Sequence, residues 1–187
     1  MSVPSADQTI RINRAPVLTL WAAVVAERLG FDREAALTLG RAVAGSSAQM
    51  KGRALGIYEP SHEPPSKAAE ERREKLDPED WVGVRLLGRV VPAVRTAEGI
   101  RALEKDYRPA SAASVERYLT SKFGERLDDA RAAVERLAAP MSPEELNQRG
   151  FALYEEFRPS IPAGARGWGA AGDLDLGRIT VLTRTEP

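Results

Sequence analysis

The chain reads as an α+β protein, mainly helical, and three observations predict this. Apolar residues recur at helical spacing in two separate parts of the chain, a short run of β-branched residues lies between them, and a proline-rich stretch divides the first part from the rest. Its 187 residues suffice for one domain with a real core, and a content of 43% apolar and 29% charged residues is a globular balance. Lys plus Arg and Asp plus Glu number 27 each, so no bulk field draws the chain to nucleic acid or to a membrane, and any such contact must come from a local patch. The single histidine, His62, and the absence of cysteine remove disulfides, cysteine-based zinc sites, cysteine nucleophiles and multi-histidine metal sites.

The elements follow in order. Residues 1–12 are polar and read as a loose arm. Ala15 to Ala26 contains Thr19 as its only polar residue, and with Arg11 and Arg14 before it the stretch has the outline of a signal peptide. The apolar spacing continues without a break through Leu29, Leu39 and Val43, so a buried core helix that stops at Gly30 is the expectation, and a cytoplasmic address with it. Asp32 caps a second helix from Arg33 to about Ala44, with a possible continuation to Leu55. Glu59 to Ser66 holds three prolines and reads as a linker. Lys67 to Lys75 is a polar, solvated helix, and Asp77 to Asp80 is a turn. Val82 to Glu104 is rich in β-formers broken at Gly88-Arg89 and at Thr96 to Gly99, which predicts a small antiparallel meander lying on helices.

Ser111 or Ser114 then caps a helix with Val115, Leu119 and Phe123 facing inward, and Gly124 separates it from a stripe of Leu127, Ala130, Val134 and Leu137. Ser142-Pro143-Glu144-Glu145 is a capping box with proline at the first helical position, opening a helix that ends before Pro159. The remainder is a Gly-rich tail around Trp168, with Ile179 to Leu182 as a short strand. The organisation read from this is an N-terminal helical unit (1–58), a connector (59–80) and a meander with C-terminal helices (81–187), or one compact domain overall.

Four motifs bear on function. Ala26 followed by Gly30 and Phe31 between two helices is similar to the core of a helix-turn-helix corner, where small residues let the helices cross. The second helix of that corner offers Arg33, Thr38 and Arg41, alongside the carboxylates of Asp32 and Glu34, which oppose phosphate. Residues 81–109 carry six basic against three acidic side chains, and Arg85, Arg89, Arg95 and Arg101 could form a strip for phosphates, with Trp81 and Tyr107 near for stacking. Edge-strand protection is the plainer account of those charges. Gly167-Trp168-Gly169-Ala170-Ala171-Gly172 has the spacing of a dinucleotide fingerprint but lacks its strand and helix context, which leaves Arg166, Gly167 and Gly169 as an anion-binding loop. Asp173 and Asp175 share one side of an extended chain and could meet a hard cation, although Asp175 equally suits a helix cap.

No catalytic residue, metal site or cofactor is assigned, and the balance leans away from an enzyme without excluding Asp, Glu, Ser or Lys chemistry. The expected role is a structural or interaction protein that self-associates through the small-residue ridge Ala36, Gly40 and Ala44 of its second helix. The alternative is a regulatory nucleic-acid-binding protein that uses the corner and the basic meander.

Overall fold

The computed structural model describes residues 8–54, 66–165 and 169–185. The architecture is mainly helical with two small antiparallel sheets. Strand β1 (Thr9–Asn13) leads into helix α1 (Arg14–Arg28). Every residue of α1 from Ala15 to Ala26 is buried, as a helix without a polar stripe requires. Trp21 is fully enclosed, donates its indole N–H to the Gly150 carbonyl at 2.8 Å and meets Phe157 edge-on at 5.5 Å.

The helix stops as expected at Gly30, whose φ of 108° suits glycine alone. The Phe31 N–H reaches back to the Ala26 carbonyl at 3.2 Å and the Gly30 N–H to that of Glu27 at 3.0 Å, closing the end in a Schellman motif. Arg28 completes the corner by donating to the Ala138 and Met141 carbonyls at 2.6 and 2.7 Å. Helix α2 (Arg33–Ala54) then begins on Asp32, whose side chain accepts from the Ala35 N–H at 2.8 Å. Its small-residue ridge packs on α1 of the same chain: a β-carbon on Gly40 would fall 2.6 Å from the Thr19 carbonyl oxygen and 2.8 Å from the Ala23 nitrogen. Ala36 and Ala44 are likewise fully buried. The expected self-association ridge is therefore interior, because the same smallness that would admit a partner helix admits α1 first.

Helix α3 (Lys67–Lys75) buries only Ala69, in keeping with its polar sequence. The meander comprises β2 (Trp81–Leu86), β3 (Arg89–Thr96) and β4 (Gly99–Ala102), with β3 in the middle. Leu87 and Gly88 form the first turn, both with positive φ. An unusual leucine at such a place has a tertiary reason. Its N–H donates to the Asn147 side-chain oxygen at 2.8 Å, the Asn147 amide donates in turn to the Arg85 carbonyl at 3.0 Å, and the Leu87 side chain fills the space that a side chain on Gly150 would occupy.

Helices α4 (Ala112–Phe123), α5 (Leu127–Ala138) and α6 (Pro143–Phe157) follow. Ser111 caps α4, and the Ser142 and Glu145 capping box forms with both bonds at 3.2 Å. Two sequence expectations are corrected at the ends of the chain. Residues 9–13 are not a loose arm but β1, which pairs antiparallel with β5 (Ala171–Asp175) from Thr9 opposite Asp175 to Asn13 opposite Ala171. Ile10 and Ile12 point inward from it. Two isoleucines are too short an alternation to declare a strand whose partner lies some 160 residues away. Ile179 to Leu182 is not a strand but belongs to helix α7 (Leu176–Thr185), where Ile179 and Leu182 meet the core three residues apart. The Asp175 carboxylate accepts from the Gly177 N–H at 2.8 Å at the entrance of α7, the capping role its position allowed. One hydrophobic cluster runs from Ile10 through α1, the meander and α4 to α7. Among the described residues no helix is long and apolar enough to cross a membrane.

Candidate functional site

A hollow of about 570 Å³ lies between α2 and the meander, closed on a third side by the loop of residues 103–110. Its first wall is one face of α2. Thr38, Arg41, Ala42, Gly45 and Ser46 fall at intervals of three and four and share that face. The second wall is Trp81, Pro92 and Ala102 of the sheet. Space exists here because Ala42, Gly45, Ala102 and Ala110 have almost no side chain to fill it. Pro92 is tolerated in the central strand because β4 has ended at its level. Its register partner on the other side is Gly83, and its carbonyl is satisfied by the Leu103 N–H at 2.9 Å.

The loop is held rather than slack. The Ala110 N–H donates to the Ala102 carbonyl at 2.8 Å and the Glu104 N–H to that of Arg108 at 2.9 Å, so the chain returns alongside itself. Tyr107 occupies the tightest point, its N–H donating to the Glu104 carbonyl at 2.9 Å and its φ at 64°. This left-handed conformation costs a residue with a β-carbon roughly 1–2 kcal/mol. Asp106 anchors the loop to α3: its carbonyl accepts from Arg72 at 2.9 Å, and its carboxylate faces Arg108 at 3.2 Å and Arg72 at 3.6 Å. The result is an aromatic pair at the mouth of the hollow, Trp81 and Tyr107, with ring centroids 6.0 Å apart and planes inclined at 46°. Trp81 is 37% exposed, a large apolar ring that the fold leaves open.

Charged groups of both signs lie near the pair, for Glu79 and Asp80 immediately precede Trp81 and Asp106 precedes Tyr107. The Arg73 guanidinium lies 5.7 Å from the centre of the Tyr107 ring, and Lys105 and Arg41 line the hollow, where Glu104 is the single carboxylate among the described residues. Arg41 is steadied by the ring of Tyr118, 4.3 Å beneath it. Burial holds the Tyr118 phenol above its ordinary value, and the Arg41 charge opposes that shift.

The residues singled out for nucleic-acid contact do not come together. Thr38 is buried, donating its hydroxyl to the Ala35 carbonyl at 2.9 Å and accepting from the Ala102 N–H at 3.1 Å, so it ties α2 to β4 instead of facing a base. Arg101 is buried too. It meets Glu34 at 2.6 Å and the Ile100 carbonyl at 2.8 Å, which makes it a structural cation. Arg33 is paired with Glu116 at 3.6 Å. Arg85 lies at the hairpin tip, lining a smaller hollow with Gly88 and Asn147, and Arg89 packs over Phe151 at 5.8 Å. Arg95 donates to the Glu79 carbonyl at 3.3 Å at the other end of β3, roughly 20 Å from Arg89 along an extended strand. Of these residues, Arg41 and the buried Thr38 line the hollow, and Arg41 is the one that brings charge to it. Of the proposed anion loop, Arg166 and Gly167 lie outside the described residues, and Gly169 is in an exposed turn. Asp173 faces Arg11 at 3.3 Å, and among the described residues no cluster of three or more His, Asp or Glu side chains could hold a metal ion.

Trp81 and Tyr107 were legible as stacking neighbours. The alanine and glycine floor was not, because small residues leave a periodic pattern identical to that of close helix packing, as on the opposite face of the same helix. No protein-family model, no curated protein and no solved structure matches this chain.

Proposed function

We propose that the protein is a cytoplasmic binding module whose recognition site is the hollow between α2 and the 103–110 loop. The observation that carries this reading is Tyr107. A residue with a β-carbon is kept at a positive φ by a doubly hydrogen-bonded loop, and the effect is to hold its ring against Trp81 at the entrance of a space floored by alanine and glycine. Backbone strain retained by the surrounding structure is a mark of functional positions. A concave, mainly apolar site of a few hundred Å³ with a few charged groups at its rim is also the usual form of a small-ligand site.

Titration with anilinonaphthalene sulfonate, whose emission rises in apolar sites, tests the reading. The native protein should enhance its emission, and Ala42→Leu, which fills the floor from a helix that accepts leucine readily, should abolish the effect while leaving the melting temperature within a few degrees. Equal enhancement by both proteins would remove the hollow as the site.

A further inference from the structure

Resting on that reading, we infer that the ligand is a nucleotide, held by its heteroaromatic base on the Trp81 and Tyr107 pair and by its phosphate at Arg41 and Lys105. The two rings meet at 46°, which leaves no parallel slot between them and makes a corner. A planar ring fits such a corner by stacking on one face while its edge meets the other. Stacking of this kind is insensitive to which base is offered.

A lone ring would leave most of about 570 Å³ unfilled, whereas a base with its sugar and phosphate is of suitable size. The walls sort the ligand by polarity. Ala42, Ala102 and Leu103 present apolar surface, Ser46 presents a hydroxyl, and the charged side chains among the described lining residues are Arg41 from α2 and Lys105 and Glu104 from the 103–110 loop. Arg73, above Tyr107, adds a third cation at the mouth. An uncharged ring would use the aromatic corner and waste the cations. An inorganic anion would do the reverse. A nucleotide engages both, whether free or as a unit of a single strand.

The test follows the Trp81 indole by NMR during titration with adenosine, adenosine monophosphate and a short single-stranded oligoadenylate. The monophosphate should bind at least about tenfold more tightly than adenosine, and added salt should weaken the monophosphate and the oligoadenylate but not adenosine. Lys105→Glu should erase the preference for the monophosphate over adenosine. Ala42→Leu should abolish binding of all three, and it keeps the result interpretable if Trp81→Ala, expected to cost about tenfold or more, disturbs the sheet. A tighter monophosphate identifies a free nucleotide as the ligand and a tighter oligoadenylate identifies a strand; both support the inference. Equal affinity for adenosine and its monophosphate overturns it and leaves the hollow as a site for uncharged rings. Failure of all three while anilinonaphthalene sulfonate still binds also overturns it, and failure of that dye as well overturns the site itself.

Discussion

Gly40 lies directly on the backbone of Ala23, and the two chains are so close that a methyl group on Gly40 would come within 2.8 Å of the Ala23 amide nitrogen. The obstacle is main chain in the most buried helix of the protein, which cannot swing aside as a side-chain tip would. Gly40→Ala should therefore destabilise the fold by roughly 2 kcal/mol despite the better helix propensity of alanine, lowering Tm by roughly 4–8 °C. Gly45, one turn further along α2, faces open space at its β-carbon position. Gly45→Ala should raise Tm by up to about 3 °C, and calorimetry of the pair would separate the two environments.

Trp21 joins α1 to α6 through one hydrogen bond and a large buried ring. Trp21→Phe loses the bond to the Gly150 carbonyl and part of the ring volume, for an expected loss of roughly 2–3 kcal/mol in urea denaturation. A loss under about 0.5 kcal/mol would mean that α6 closes onto the smaller ring.

The Arg101 and Glu34 pair is asymmetric, with side-chain exposures of 7% and 65%. Removing the carboxylate in Glu34→Ala strands a buried guanidinium and should cost roughly 1–3 kcal/mol, whereas replacing both partners with Leu and Met should cost less than the single change. Urea midpoints of the two variants decide the order.

Tyr107→Asn keeps a residue tolerant of the left-handed region and removes the ring. Stability should hold within about 1 kcal/mol while ligand affinity falls, so a melting curve and a binding titration read two separate roles of one position.

Glu27 stands at the end of α1, where partial desolvation, offset by Arg33 and reinforced by Glu135, holds its carboxyl above the usual range. A raised value in the folded state means that the protonated form is favoured there. The stabilisation is complete below the ordinary carboxylate value and is lost as pH rises through the folded one. Glu27→Gln should therefore raise Tm slightly at neutral pH, and the gain should vanish below about pH 4.

The helical part of this fold is legible in the sequence because its signals are local. Asp32, Ser111 and the Ser142 to Glu145 box each cap a helix through bonds to residues three positions away. What escapes a linear reading depends on distant contacts. Leu87 takes a turn position that would suit asparagine because α6 offers it Asn147 and the notch at Gly150. Arg101 looks like one more surface cation until Glu34 and the carbonyls of Glu98 and Ile100 enclose it. The hollow is harder still to foresee, since an alanine facing a void and an alanine facing a helix are the same letter.

The pairing of β1 with β5 sets the order in which the protein can be completed during synthesis. A ribosome delivers the greasy α1 early, yet the strand that clasps its leading end emerges some 160 residues later, at roughly 5–20 residues per second. For about 8–30 seconds the nascent chain must carry that helix without its final cover, and in this interval its apolar surface is open to aggregation or to a chaperone.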